Sequence, residues 1–276
     1  MAWGTLAVGQ PAEGGTAPMT AAESQALVAR ALTNELRAAQ DAGHPMRYQL
    51  RKTSPRLTTT KEICETKDGE VARLISVNDK PLSEADSRKE EARLDALVAD
   101  PSKQRHRKQA EDADSARALM VLRALPKAFL YEYAGSDQGS AGKQGSAGRI
   151  EKFNFHPNPG FSAPNLETQA LTTMSGQIWI DPERERVTRL EGRLQRDVDF
   201  GWGVLGRLNK GGWIVIEQAD VGGDQWRVVH FQMQMSGRVI FKTRVFDTTE
   251  DETQYAPLQP GMSYQKAIET LRGDPK

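Results

Sequence analysis

The four histidines of the chain are the first side chains to consider for catalysis or metal binding. They are His44, His106, His156 and His230. No two of them have the spacing at which a helix or a strand presents a pair of metal ligands. His230 stands beside Trp226 and Phe231 in a predicted strand, which indicates a structural role. His156 lies in a proline-rich loop and is the better candidate for a reactive imidazole, but it has no local partner in the sequence.

Two charged patterns are the next candidates. Asp197 and Asp199 share one face of a predicted strand, about 7 Å apart at the rise of a strand, and paired carboxylates can perform acid–base catalysis. Because Arg193 and Arg196 lie close by, we interpret them as an exposed charge ladder. The basic run 103–108 could contact phosphate. Acidic residues follow it directly and no aromatic residues interleave for stacking, so we predict a solvated helix face.

The composition excludes further classes of site. Cys64 is the only cysteine, which leaves no internal disulfide and no cysteine-only metal site. Basic and acidic residues number 37 each, so net charge does not attract nucleic acid or anionic membranes over long range. The glycines of 201–206 are spaced superficially like a dinucleotide-binding loop, but a strand is predicted to follow them, and we interpret them as a lip or turn. We therefore predict no cofactor, no nucleic-acid partner and, without a visible nucleophile–base pair, no enzymatic activity.

The elements that must position any site begin with a helix over residues 20–42. Thr20 and Glu23 have the spacing of a capping box, and Val28, Leu32 and Leu36 give an apolar stripe. Residues 1–19 are rich in Ala, Gly and Pro and are predicted to be a flexible leader. Either the protein is cytoplasmic, or this leader is a tether that follows a removed export signal, and we favour the second interpretation. No apolar run in the chain approaches the roughly 20 residues of a membrane span.

A long antiparallel meander is predicted to follow the helix. Turn signals occur at four dipeptides: Asp68-Gly69, Asp181-Pro182, Gly222-Gly223 and Ser236-Gly237. About ten alternating strands are predicted over the whole chain, including one long strand over 187–200. Hydrophobic residues make up only 38% of the chain, which favours a sheet with one wet face. The predicted class is α+β: a strongly curved antiparallel sheet, or unclosed β-barrel, with helices over its concave face.

Two segments interrupt the predicted single domain of residues 20–276. Residues 83–125 are highly charged with a narrow apolar edge, which predicts a helical insertion covering the concave side or the rim of the sheet. Residues 135–148 repeat Gly-Ser-Ala-Gly and are predicted to form a mobile loop.

The apolar strand faces carry two open interpretations. Phe231, Met233 and Met235 form one row, and Val239, Phe241 and Val245 form another. They are either ordinary core under the helices or the wall of a partly filled pocket, in which methionine would adapt to varied apolar ligands.

The C-terminal half resembles a known family. The run Gly-Gln-Ile-Trp-Ile-Asp-Pro over 176–182, followed by Val-Thr-Arg-Leu-Glu-Gly over 187–192, is similar to the LolA-like superfamily of bacterial outer-membrane lipoprotein carriers. The N-terminal helix before a meander and the late strand Gly-Arg-Val-Ile-Phe-Lys over 237–242 fit as well. The resemblance covers 174–248 well and implies an unclosed β-barrel wrapped over helices, with a hydrophobic cavity and a periplasmic location.

From the resemblance and the strand faces we predict a non-enzymatic, exported, periplasmic protein that binds an acyl chain or a lipidated protein between sheet and helices. Six residues are predicted to form the apolar wall: Leu190, Leu194, Phe231, Met233, Met235 and Phe241. The alternative is a protein-interaction module of the bacterial envelope, in which the cavity is a dry core and the charged insertion contacts other envelope proteins.

Overall fold

The computed structural model describes residues 19–138, 148–200, 206–239 and 242–273, within which the chain forms five α-helices and thirteen strands. The helices are α1 (Ala21–Ala38), α2 (Glu84–Ala99), α3 (Pro101–Ala128), α4 (Leu166–Gln169) and α5 (Tyr264–Arg272). The strands before the middle of the chain are β1 (Met46–Ser54), β2 (Leu57–Cys64), β3 (Val71–Val77), β4 (Lys80–Pro81), β5 (Phe129–Gln138) and β6 (Arg149–Pro157). The later strands are β7 (Met174–Asp181), β8 (Arg186–Leu194), β9 (Val198–Phe200), β10 (Gly206–Leu208), β11 (Trp213–Asp220), β12 (Trp226–Val239) and β13 (Lys242–Pro257).

The strands form one open antiparallel sheet in the order β4-β3-β2-β1-β13-β12-β11-β8-β7-β6-β5. The short hairpin β9–β10 joins the end of β12. Most neighbours in the sheet are also neighbours in sequence, but β1 pairs with β13, so the last strand joins two separate meanders. The predicted class, a curved antiparallel sheet that does not close, is confirmed.

Helix α1 begins as its sequence predicts. The Thr20 side chain accepts the backbone N–H of Glu23, and the Glu23 carboxylate accepts the N–H of Thr20 at 2.8 Å, which completes the capping box. The helix ends at Ala38, four residues before the predicted end. The Asp41 carboxylate accepts the backbone N–H of Gly43 at 2.7 Å, a local bond of the kind that competes with helix continuation.

Two apolar cores hold the fold together. The larger lies between the sheet and two helices, where α1 and the end of α3 cover strands β5 to β8 around Phe129, Phe153 and Ile178. We call this side of the sheet the concave face. The smaller core surrounds Cys64 and Val71 and is covered by α2 and α5.

The smaller core lies on the opposite face of the sheet. Cys64 pairs with Val71, whereas its neighbour Ile63 pairs with Tyr48, and adjacent residues of a strand point to opposite faces. The helical insertion is therefore divided: α2 packs on the opposite face at the β2–β3 rim, and α3 passes to the concave face. The predicted break near residue 100 is confirmed, because Asp100 caps α3 and Pro101 begins it.

The turn predicted at Ser236-Gly237 is wrong, because β12 runs through both residues to Val239. Gly237 is required there by the approach of another strand: a Cβ atom on it would lie 2.3 Å from the carbonyl oxygen of Arg207 in β10. The long strand predicted over 187–200 is also divided into β8 and β9: the last bond in the register of β7 and β8 runs from the Gln195 N–H to the carbonyl of Thr173 at 2.9 Å, and β9 begins only at Val198. Of the predicted mobile loop, residues 135–138 continue β5, and 139–147 lie outside the described residues.

Candidate functional site: an apolar trough beneath helix α3

The register of the central strands decides which way the predicted wall residues point. Residues directly opposite one another in an antiparallel pair have side chains on the same face. Phe231 lies opposite Ile216, which lies opposite Leu190. Leu190 in turn lies opposite Ile178, a buried residue of the larger core. Phe231 and Leu190 are therefore on the concave face.

The other predicted wall residues follow by the two-residue period of a strand. Met233, opposite Ile214, and Met235 share the face of Phe231, and Leu194 shares that of Leu190. Leu194 is only 1% exposed and belongs to the larger core. The side chains of Leu190, Phe231, Met233 and Met235 are half-buried. Phe241 lies outside the described residues.

Strands β8, β11 and β12 thus carry a row of half-buried apolar side chains along the concave face. The row consists of Leu190, Ile214, Ile216, Phe231 and Met233, and we call it the floor of the trough. Large apolar side chains on a helix-covered face are normally fully buried. Their partial exposure marks the region in which the cover is incomplete.

Helix α3 crosses above the concave face and is held at its two ends. Near its start, the Gln104 amide donates to the carbonyl of Asp68 at 3.0 Å, and Glu111 accepts the backbone N–H of Glu70 at 2.9 Å. Its last turns enter the larger core through Leu125. The first contacts are at the β2–β3 turn, and the last turns of the helix lead into the start of β5. These two places lie at opposite edges of the sheet.

The middle of α3 stands clear of its surroundings. All seven residues 112–118 are exposed, and seven residues are about two turns, so every side of the helix is solvated there. A helix that is polar and exposed all round is a bridge through solvent and not a packed layer. We call the space between this bridge and the floor the trough.

A cluster of acidic and tyrosine side chains lies on the concave face beside the trough, on β1 and β13. The Tyr48 and Tyr255 rings stack with centroids 5.2 Å apart. The Tyr48 hydroxyl donates to the Glu70 carboxylate at 3.2 Å. Burial and the neighbouring Glu111 raise the pKa of Glu70 above its usual value.

Glu252 is the second carboxyl group of this cluster with a raised pKa. Its desolvation by burial raises its pKa to about 7, against an opposing contribution from a hydrogen bond to Tyr255. The Tyr255 hydroxyl lies 2.8 Å from the carbonyl oxygen of Val228 and also contacts Glu252. A protonated Glu252 can therefore donate a hydrogen bond to the Tyr255 oxygen while the Tyr255 hydroxyl donates one to the carbonyl oxygen of Val228. Sequence reasoning missed this cluster, because its members come from strands about 200 residues apart.

Two of the remaining candidates from the sequence, His230 and the pair Asp197 and Asp199, form ordinary polar contacts. His230 bonds Asp251 at 2.7 Å on the opposite face of the sheet. Asp197 and Asp199 both contact the same arginine, Arg207, and not the two arginines near them in sequence. His156, predicted to lie in a proline-rich loop, lies in β6 opposite Leu130, so that prediction is wrong.

No group of three or more His, Cys, Asp or Glu side chains in the described part of the chain is arranged to hold a metal ion. None of the helices in that same part has both the length and the apolar character needed to cross a membrane.

Comparison of the chain with models of known protein families, with curated proteins and with solved structures finds no match.

Proposed function

We propose that this protein binds an apolar chain, such as the acyl chain of a lipid or of a lipidated protein, in the trough, without catalysing a reaction on it. The observation that carries the proposal is the half-buried floor beneath a helix that stands clear of it. An acyl chain lying there would remove apolar surface of both partners from water, and each buried methylene would contribute about 0.8 kcal/mol to the binding free energy. The resemblance to the LolA-like superfamily supports the same ligand class and a periplasmic location.

The chemistry of the floor fits a flexible apolar ligand. Met233 has three rotatable bonds and a polarizable sulfur, so it can repack around chains of different shape. The floor offers few hydrogen-bonding groups between Leu190 and Phe231, which favours hydrocarbon over polar ligands.

The direct test is uptake of a fluorescent fatty acid by wild type and by two matched variants of β12. Met233→Asp puts a carboxylate on the floor and should abolish uptake. Because Met233 is only half-buried, the same change should lower the free energy of unfolding by about 1 kcal/mol and no more than about 3. Gln232→Asp puts the same group on the opposite face of the same strand and should leave uptake unchanged.

Native mass spectrometry of the purified protein, followed by organic extraction, is the complementary measurement. A co-purified acyl compound supports the proposal. Uptake that survives Met233→Asp and is lost in Gln232→Asp would show that the ligand lies on the other face and would refute it.

The protein-interaction module is the second candidate, and the exposed bridge of α3 favours it. Residues 112–118 present Asp112, Asp114 and Arg117 to solvent from an exposed helix, which is a suitable contact surface for another protein. If wild type takes up no fatty acid and extracts contain none, this candidate is preferred.

A further inference from the structure

Strand β13 extends beyond its neighbour β1 and leaves an open edge in the sheet. β1 pairs with β13 only from Thr249 onward. From Lys242 to Thr248, the partner of β13 in the described part of the chain is β12 alone. The other side of this segment therefore has no neighbouring strand over about 20 Å, at the rise of a strand. The unpaired N–H and C=O groups of such an edge are a template for pairing with another strand.

The edge of the sheet at β3 is covered by helix side chains instead. Glu111 accepts the backbone N–H of Glu70 at 2.9 Å, and Gln104 donates to the carbonyl of the same residue at 3.3 Å. Farther along β3, Glu90 accepts the backbone N–H of Leu74 at 2.8 Å. The short strand β4 then pairs with the end of β3. These contacts occupy backbone groups that another strand could otherwise use.

The edge at β5 is protected in two other ways. The Gln25 side chain donates to the carbonyl of Phe129 at 3.4 Å and accepts the backbone N–H of Tyr131 at 3.3 Å, as a neighbouring strand would. Farther along, the register with β6 shifts between Tyr133 and Ser136. Bulges of this kind twist an edge and make it a poor template for pairing.

The open edge of β13 has neither kind of protection. Its register with β12 is regular, and no side chain in the described part of the chain bonds its backbone between Lys242 and Thr248. All five side chains from Lys242 to Phe246 are exposed. Val245 and Phe246 are 67% and 47% exposed, and they lie on opposite faces because they are adjacent in a strand. The edge therefore leaves apolar surface in water on both sides of the sheet.

The charges along this edge are basic. Lys242 and Arg244 share the face of Phe246 by the two-residue period of a strand. Neither forms a hydrogen bond or an ion pair with any residue that the structure describes. Glu167 lines the same cleft as Arg244 without pairing with it. A strand added here would therefore meet two unpaired cations on one face.

We propose that an extended segment of another protein adds to the sheet along this edge, with acidic side chains opposite Lys242 and Arg244 and apolar side chains opposite Val245 and Phe246. Main-chain hydrogen bonds hold such a strand, and the side chains on its two faces give the specificity. Opposite charges on directly opposed residues stabilise a strand pair and like charges destabilise it, so the two cations favour an acidic strand.

The same cations oppose a second copy of this chain, which would bring its own Lys242 and Arg244 to the edge. The row of backbone donors and acceptors favours a strand over a lipid surface, because hydrocarbon cannot bond these groups. The inference does not depend on uptake of an acyl chain by the trough.

The test is fluorescence anisotropy with three labelled peptides of one antiparallel design. The acidic probe is Thr-Val-Ile-Glu-Thr-Glu between Gly-Ser flanks, which sets its glutamates opposite Lys242 and Arg244. The basic probe has Lys in place of both Glu. The third probe keeps the acidic sequence but carries N-methyl groups on Val and Ile, one of which must face the edge because the backbone groups of a strand alternate.

Wild type should bind the acidic probe at least roughly tenfold more tightly than the basic probe, and it should not bind the N-methylated probe. The double variant Lys242→Glu/Arg244→Glu should reverse the preference between the acidic and basic probes. The matched control is Arg88→Glu/Arg105→Glu, which makes the same change of charge at exposed positions of α2 and α3 and should behave as wild type.

The other outcomes overturn the inference. Equal binding of the acidic and N-methylated probes shows contact without strand pairing. A preference that persists in the double variant places the peptide elsewhere, and failure of the acidic probe to bind removes the site. Dimerisation of wild type that competes with the acidic probe identifies a second copy of the chain as the occupant. Sedimentation with anionic vesicles, without binding of any probe, identifies a membrane contact. Fatty-acid uptake is a separate measurement, so either proposal can fail alone.

Discussion

One buried ion pair contributes to the attachment of α1 to the sheet, and its removal should have a large effect on stability. Arg186 of β8 donates to both oxygens of the Glu35 carboxylate, at 2.9 and 3.0 Å. The same carboxylate accepts the backbone N–H of Val187 at 2.9 Å. The side chains of Arg186 and Glu35 are only 13% and 8% exposed.

Glu35→Ala leaves the Arg186 guanidinium and the Val187 N–H without their acceptor. Removing one partner of a buried pair costs about 3–5 kcal/mol. Arg186 keeps its contact with the Trp226 ring, 5.3 Å from the ring centroid, so we expect the lower end of that range, about 3 kcal/mol. The variant Glu35→Leu/Arg186→Met replaces both charges by apolar groups but still leaves the Val187 N–H without its acceptor, so it should lose about 1–2 kcal/mol.

Urea unfolding followed by circular dichroism measures both free energies. The matched control is Arg30→Ala, because Arg30 also joins α1 to the β7–β8 turn, by a pair with Glu185 at 2.6 Å whose side chains are 54% and 33% exposed. This change should cost at most about 1 kcal/mol. If Glu35→Ala costs no more than Arg30→Ala, burial does not govern the strength of these pairs and the account of how α1 docks is wrong.

Three further predictions concern single residues. Burial raises the pKa of Glu252 to about 7. The stabilisation of the folded state by protonated Glu252 is therefore fully present below the unfolded pKa near 4.5 and is lost as the pH rises through 7. In thermal unfolding, Glu252→Gln should stabilise the protein by about 2–3 kcal/mol more at pH 8.5 than at pH 4.5. Gly237→Ala should cost about 1–3 kcal/mol in urea unfolding because of its contact with β10, whereas Gly148→Ala, with open space around it, should stay within about 0.5 kcal/mol. Burial raises the pKa of the Cys64 thiol to about 11, so Cys64 should react with a thiol reagent at pH 8 only as fast as the protein opens, and rapid labelling of the folded protein would contradict its position in the core.

Short sequence patterns were sufficient to predict the start of α1 and two of the turns between strands. The capping box at Thr20 and Glu23 fixes the start of α1, and the turns at Asp68-Gly69 and Gly222-Gly223 occur where predicted, with glycines at positive φ. The alternation in β12 gave the correct face for Phe231 and Met233, because one side of that strand is covered by helices.

The features that could not be predicted from the sequence depend on contacts between residues far apart in the chain. Gly237 has the local signal of a turn, and only the neighbouring strand β10 explains why glycine is needed within a strand. The pairing of β1 with β13 depends on the whole sheet and has no short-range signature. The cluster around Glu252 follows from that pairing, so the sequence could predict the apolar face of the site but not the acidic cluster beside it.

The position of β13 between the two meanders has a consequence for folding during synthesis. Leu50 pairs with Glu252, 202 residues later in the chain, and contacts so distant form slowly. At translation rates of about 5–20 residues per second, the ribosome needs roughly 10–40 seconds after β1 to synthesise its partner strand β13, and this edge of β1 is unpaired during that time. An unpaired strand edge invites aggregation, and charged side chains oppose it. Arg51 and Lys52, which later pair with Asp251 and Glu250, keep that edge charged while the ribosome completes the strand that will cover it.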